Sequence, residues 1–284
     1  MIDETVEEIA EMQTHSSSVV AVKAARALTE LLDREYATVD EYERALERNA
    51  SALRRANPSH ASLHNAMRDV VAAVEDAAVD DVAAAKETTR DAIDRVVERI
   101  EEGKHRAAER AADQLADGDV LFTHDYSSTV LEAVDIAVAE GKRFEVYVSE
   151  ARPRYLGRKT ARTLAQYDPV DVHLVVDSAW GQFLPACDAV YVGMDCIVGE
   201  TLYNRIGTFP LCATAEEVDV PVHVVGSGTK IIEDGFVFEN EHRTPSEVMR
   251  EPAEGFTVEN PAYDATPTRL LTSVVTDEGT RTLG

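Results

Sequence analysis

The stretch DVLFTHDYSSTVLEAVDIAVAEGKRFEVYV, residues 119–148, decides the fold. It opens on an apolar run at Val120–Thr123, crosses Ser128–Ala139 with helical spacing, and closes on a second run at Phe144–Val148. Two nearly continuous apolar strands joined by a helix describe a βαβ unit, with parallel strands buried on both faces. The alternation repeats downstream. Val172–Val176, Ala189–Val192, Val222–Val225 and Leu270–Val275 read as strands, while Gly157–Gln166, Ala179–Pro185 and Gly207–Val218 read as helices. Residues 118–284 are therefore predicted to form a doubly wound α/β domain with a mostly parallel sheet.

Upstream of residue 118 the chain is rich in Ala, Glu, Asp and Arg, and its apolar residues recur at helical spacing, as in Val19, Val22, Ala25 and Leu28, or Val70, Val71, Val74 and Ala77. Ser16 to Ser18 suits a helix N-cap, Asn57-Pro58-Ser59 marks a break between helices, and Asp80 to Ala116 reads as one long helix. Residues 1–117 are predicted to be an all-helical domain of four helices.

Of the 284 residues, 28 are Lys or Arg and 53 are Asp or Glu, a formal charge of −25 with a pI near 4.6. Such a field repels phosphate backbones and anionic lipid, which excludes nonspecific nucleic-acid binding and a polybasic membrane anchor. The apolar fraction of 44% is too high for an acidic disordered chain. Excess carboxylate on a foldable core suits a protein working in molar salt, where self-repulsion is screened. The acidic N-terminus lacks a signal-peptide pattern, and no apolar run approaches the ~20 residues of a membrane span. Cys187, Cys196 and Cys212 form no CxxC pair and suit buried, reduced thiols. A cytoplasmic location is expected.

Ligands of open parallel sheets bind outside the carboxyl ends of the strands. Those ends carry His124-Asp125-Tyr126-Ser127-Ser128, Glu150-Ala151-Arg152-Pro153-Arg154, Asp177-Ser178, Gly193-Met194-Asp195-Cys196 and Gly226-Ser227-Gly228-Thr229-Lys230. On so acidic a chain, Arg152, Arg154, Arg158, Arg205 and Lys230 along one edge make a local cationic site. Ser127-Ser128 and Gly207-Thr208, at helix N-termini, add donors for an anion. A phosphorylated small molecule is the expected ligand. Each residue also has an ordinary structural use: Asp125 and Asp195 as caps, His124 as a buried hydrogen-bonding strut, Ser and Gly as turn formers. No Cys/His spacing suggests zinc, and neither a GxGxxG fingerprint nor a P-loop is present, so no metal or cofactor is expected.

The run Glu150-Ala-Arg-Pro-Arg-Tyr-Leu-Gly-Arg-Lys-Thr-Ala161, then Asp177-Ser-Ala, Val192-Gly-Met-Asp195-Cys-Ile, Asn204-Arg-Ile-Gly-Thr208, Lys230 and Glu259-Asn-Pro-Ala-Tyr-Asp-Ala-Thr-Pro267 occur in a familiar order. Together they resemble the superfamily of the regulatory (alpha, beta and delta) subunits of eukaryotic translation initiation factor 2B. That superfamily also contains methylthioribose-1-phosphate isomerase and ribose-1,5-bisphosphate isomerase. The resemblance implies a helical N-terminal domain and a Rossmann-like C-terminal domain, with a pocket between them for a phosphorylated sugar or a nucleoside monophosphate. It also implies a homodimer or dimer-built hexamer through the C-terminal domain, and translation initiation factor 2 as a candidate partner. Asp195 matches the acid/base aspartate of the isomerases, and Asn204, followed by Arg205 in place of the usual Lys, matches their ligand-binding segment. Asp125 stands where the isomerases carry Cys, Asn57-Pro58-Ser59 stands for their Arg-Pro-Thr, and His15-Ser16-Ser17 for their Arg-Gly-Ala. Lost anchoring groups, each worth ~1.5–3 kcal/mol as charge-assisted bonds, favour a regulatory or non-catalytic binding protein. The alternative is an aldose–ketose isomerase with Asp195 and Asp125 as its acid/base pair and Arg152, Arg205 and Lys230 on phosphate.

Overall fold

The computed structural model describes residues 2–10, 17–58, 60–232, 236–251 and 253–283. The chain divides into two units, Met1–Gly103 and Lys104–Gly284. The first holds helices α1 (Ile2–Ala10), α2 (Ser17–Ala27), α3 (Val39–Ala56) and α4 (Ala61–Ala77), and most of α5 (Val82–Gln114). That is five helices among the described residues, one more than the four expected, because Ile2, Val6 and Ile9 of the acidic N-terminus line one helical face that packs inward. Leu28, Tyr42, Leu46, Leu53, Met67, Val70 and Ile93 fill this unit's core. Thr38 accepts from the Glu41 amide at 3.2 Å to start α3, and the Asp81 carboxylate accepts from Ala83 and Ala84 to start α5. Asn57 and Pro58 do separate two helices. His15, Ser16 and Ser59, named above for capping or family likeness, lie outside the described residues.

The change in sequence character at 117/118 and the division of the units at 103/104 differ, for a packing reason. The last turns of α5, through Ala107, Ala108, Ala111 and Ala112, together with Leu115, pack into the second unit's core with Leu121, Val134 and Val146. Composition marks where strands begin, whereas packing assigns the end of the helix to the sheet.

The second unit is built on seven strands ordered β11-β10-β7-β4-β1-β2-β3, namely β1 (Val120–His124), β2 (Phe144–Ser149), β3 (Val170–Val175), β4 (Ala189–Gly193), β7 (Val222–Val225), β10 (Ser273–Thr276) and β11 (Gly279–Thr282). All pairings are parallel except β10 with β11. Successive residues face opposite layers. Leu121, Tyr191, Val225 and Val275 join the core under α6 (Ser128–Ala139) and α7 (Gly157–Leu164). Phe122, Val190, Val192, Val224 and Val274 face α8 (Trp180–Phe183) and α9 (Thr208–Glu217). This is a helical region followed by a doubly wound α/β sheet.

A second sheet, ordered β8-β5-β6-β9, is formed by β5 (Cys196–Val198), β6 (Thr201–Arg205), β8 (Ile231–Ile232) and β9 (Tyr263–Pro267). This sheet was not expected: its strands have two to five residues, and although β5 and β6 form a hairpin, β8 and β9 join them from far along the chain. Among the described residues no helix is long and apolar enough to cross a membrane.

Gly157 shows how closely helix and strand approach. A Cβ there would lie 1.8 Å from the Ser149 carbonyl oxygen, so only glycine lets α7 start against the end of β2. Gly157→Ala is expected to cost about 3 kcal/mol or more in denaturant unfolding. Gly181→Ala, whose new methyl would meet nothing nearer than the Thr214 methyl at 3.9 Å, should stay within about 1 kcal/mol. Equal effects would contradict the assigned close approach.

Candidate functional site

From β1 the chain runs outward through β2 and β3, then returns to β4 on the other side of β1. The crevice of such a sheet opens where the strand order reverses, between β1 and β4. Asp125 follows β1 directly and Asp195 follows β4 by two residues, so the switch point places one carboxylate on each lip. Both are more than nine-tenths buried. Arg205, at the end of β6, lies between them, its Nε 3.7 Å from Asp125 Oδ2 and 3.5 Å from Asp195 Oδ2. Asp125 has φ +62°, a left-handed conformation that Asp tolerates better than most residues, and its carbonyl accepts from Thr160 Oγ1 at 2.6 Å.

The electrostatics follow from this burial. Desolvation pushes the Asp125 carboxyl above its ordinary value, with Arg205 pulling the other way. Burial opposes charge on Arg205 as well, yet the nearby Asp195, Tyr263 and Asp125 leave its guanidinium held still more firmly protonated. Its carbon also sits 4.8 Å from the centre of the Tyr263 ring.

Asp125 and Arg205 also line a small, open pocket together with Arg152, Arg154, Arg243 and Asn260, all from the second unit. The Arg152 loop is set by Asp177, whose carboxylate accepts from the Ala151 and Arg152 amides at 2.8 and 2.7 Å. Arg152 donates to the Val248 carbonyl at 3.3 Å. Arg154 is crowded by burial and by the cations Arg243 and Arg205, which together lower its pKa.

Asp195 reaches this pocket's lining only through Arg205, and the other expected residues stand apart from it. Lys230 donates to the Met194 carbonyl at 2.8 Å, behind Asp195; burial lowers its pKa and Asp195 opposes the shift. Asn204 is buried and donates to Thr208 Oγ1 at 3.0 Å. Arg158 is ion-paired with Glu150 at 2.8 Å and lies over the Tyr155 ring. Ser127 caps α6 by accepting from the Val130 amide, with Ser128 the first residue of that helix. Ser127 lines a separate, apolar cavity beneath α6.

One expectation is corrected. The amides at the start of α9 do not wait for an anion, because Asp264 Oδ2 accepts from Gly207 and Phe209 at 2.7 and 3.0 Å. A helix N-terminus already neutralised by a carboxylate has little left to offer a phosphate. Gly207 has a second constraint. At φ +103°, a Cβ would strike the His124 ring at 2.7 Å. His124 itself is a strut, with Nδ1 2.5 Å from Ser149 Oγ and Nε2 2.8 Å from the Ile206 carbonyl. Burial raises the Cys196 thiol and takes those of Cys187 and Cys212 up to about 12, so all three are inert as nucleophiles at neutral pH. Among the described residues, no group of three or more His, Cys, Asp or Glu side chains could hold a metal ion.

Sequence reasoning missed Arg243 and Asp264. Asp264 stood within the quoted family motif, yet nothing in its spacing pointed to Gly207. Arg243 lies in a segment without strand or helix periodicity.

Comparison with known proteins fits this architecture. The model of the Initiation factor 2 subunit family matches residues 13–282. The chain belongs to that family. Ribose 1,5-bisphosphate isomerase of Haloterrigena turkmenica is 34% identical over 97% of this chain and 88% of its own length. The protein of the same name from Haloferax volcanii is 32% identical over 97% of this chain and 87% of its own. The crystal structure of Pyrococcus horikoshii OT3 translation initiation factor eIF-2B superposes with a TM-score of 0.81 at 25% identity, covering 98% of this chain and 96% of that one.

The raised Asp125 carboxyl sets a stability consequence for this family member. Below the ordinary Asp value of 3.8 both folded and unfolded chains are protonated there. As pH rises, the unfolded chain releases its proton first, so the cost of Asp125 grows from that point until its folded pKa is passed and stays at full size above it. Asp125→Asn is expected to be more stable than wild type at pH 7, with the gap closing as pH falls towards 4. Urea midpoints measured across that range at fixed salt test this, and a variant less stable than wild type at pH 7 would overturn it.

Proposed function

We propose that the protein is an aldose–ketose isomerase acting on a phosphorylated pentose of the ribose 1,5-bisphosphate kind. The observation that carries this reading is the pair of buried carboxylates, Asp125 and Asp195, both within 4 Å of Arg205, with Asp125 and Arg205 themselves lining an arginine-rich pocket. Sequence reasoning alone favours a non-catalytic binding protein. The named isomerases among the relatives, similar along nearly the whole chain, support its alternative instead.

Converting a cyclic C1-phosphorylated aldose to its ketose moves hydrogen from C2 to C1. The proton on the C2 hydroxyl is replaced by one on the ring oxygen, and nothing is gained or lost overall. Two groups suffice. Asp125, whose neutral form is favoured by burial, protonates the ring oxygen as the ring opens and recovers a proton from the C2 hydroxyl. Asp195, beside Arg205, takes the C2 proton as a carboxylate and returns it at C1. Burial favours the neutral form of Asp125, which suits it to the acid's part and leaves the base's part to Asp195. Arg205 sets a positive charge beside both carboxyls. The arginines of the pocket hold phosphate, and Lys230 fixes the turn that carries Asp195 through the Met194 carbonyl.

The second reading rests on Asp125 itself, a carboxylate where the isomerases of the superfamily carry Cys, and on the likeness to an initiation-factor structure. In that case the same pocket binds a sugar phosphate or nucleoside monophosphate without turnover. Ribose 1,5-bisphosphate conversion in molar KCl separates the two. Wild type should turn over, and Asp195→Asn and Asp125→Asn should each lower kcat by about 10²–10⁴-fold. Thermal stabilisation by the sugar phosphate without any turnover would establish the binding reading instead.

A further inference from the structure

Tyr263 opens β9 directly opposite Arg205 in the register of the small sheet, and cross-strand partners present their side chains to one face. The Arg205 guanidinium therefore lies over the Tyr263 ring while its Nε reaches Asp195 Oδ2 at 3.5 Å. The tyrosine is fixed from two directions. Asn240 clamps its backbone, with Nδ2 donating to the Tyr263 carbonyl at 2.8 Å and Oδ1 accepting from the Tyr263 amide at 3.2 Å. Phe238 meets the ring edge to face with centres 5.2 Å apart, and itself stacks on Tyr203 at 4.1 Å. The phenol is thus held in one place, beside the cation that serves Asp195.

For all this support, the hydroxyl has no use within the protein. Tyr263 Oη is buried and has no hydrogen-bond partner among the described residues. Arg205 can only donate, so a closer approach of the two would still leave the phenol's own proton without an acceptor. Packing against Arg205 and Phe238 needs the ring alone, which a phenylalanine would supply. A buried donor left unmet costs stability, and a ligand oxygen that completes the bond offsets that cost. The proton is also held firmly: burial, and then the Asp195 charge, raise the phenol's pKa, so it remains a donor at neutral pH.

We infer that the Tyr263 hydroxyl donates a hydrogen bond to the substrate oxygen beside Asp195, the one carried by C2. This rests on the isomerase reading, in which Asp195 draws the proton from C2 and Asp125 draws one from the C2 hydroxyl. As that hydroxyl loses its proton, negative charge builds on the oxygen until the ketone forms. A neutral O–H aimed at it stabilises the charge and keeps its own proton, so no bond to hydrogen is made or broken at Tyr263. The phenol adds a third group to the chemistry of the two aspartates, separate from the arginines of the pocket.

Tyr263→Phe removes one oxygen and keeps the ring. With ribose 1,5-bisphosphate in molar KCl, its kcat should fall by about 10–10²-fold while KM stays within about threefold, a split that a merely structural role would not give. Its urea midpoint should hold or rise, because an unmet buried donor has been removed. A kcat within about twofold of wild type, or a loss carried by KM alone, overturns the inference. The full chain carrying 3-fluorotyrosine at position 263 alone keeps the hydroxyl, and it provides the reading should the phenylalanine variant fail to fold. Its fluorine resonance should shift when ribose 1,5-bisphosphate saturates the protein, and an unmoved resonance overturns the inference too. The isomerase reading fails separately: a shifted resonance without turnover by wild type keeps Tyr263 as a donor to the bound sugar phosphate and removes the reaction.

Discussion

The rest of the site depends on one constraint: two carboxylates at the switch point of a parallel sheet cannot both be buried and charged without a cation between them. Arg205 is that cation. It comes from neither lip of the crevice but from β6 of the small second sheet, whose pairing with β9 also brings Tyr263 opposite it in register. The large sheet therefore supplies the acids and the small sheet supplies what makes them tolerable together. An arginine suits this position better than a lysine would, because a guanidinium stays protonated under burial whereas an ammonium gives up its proton more readily. The lowered pKa of the buried Lys230 nearby shows that contrast within the same site.

Parts of this arrangement were legible in the amino-acid order and parts were not, for physical reasons. The large sheet was legible because each strand is a β-branched run buried on both faces, a pattern that survives without knowledge of partners. Asp125 and Asp195 could be placed because strand ends are where such sheets bind ligands. The small sheet could not be read, since Cys196–Val198 and Ile231–Ile232 are too short to show a period, and the sheet is assembled by pairing the β5–β6 hairpin with strands far along the chain. With it went the position of Arg205 relative to the acids. Arg243 and Asp264 were obscure for the same reason, as both act through contacts set by tertiary packing.

The correction at α9 illustrates how neighbouring features change the meaning of a motif. Gly207-Thr208 has the look of an anion-binding helix start, and in isolation its amides would serve. Asp264 brings a carboxylate to those amides from β9, so the motif becomes a joint between the small sheet and the helix. Anion recognition then falls to side chains. A chain with a formal charge of −25 concentrates four arginines around one opening, three of them placed by different local devices: Asp177 for the Arg152 loop, a strand end for Arg205, two glutamates for Arg243.

The left-handed backbone at Asp125 limits which residues can take its place. Asp and Asn visit that conformation at small cost, since their short polar groups satisfy nearby backbone, whereas an ordinary L-residue pays roughly 1–2 kcal/mol. A thiol installed here would therefore meet a backbone shaped for a carboxylate. If the turn after the first strand kept its present shape, a cysteine at this position would bear that cost in full.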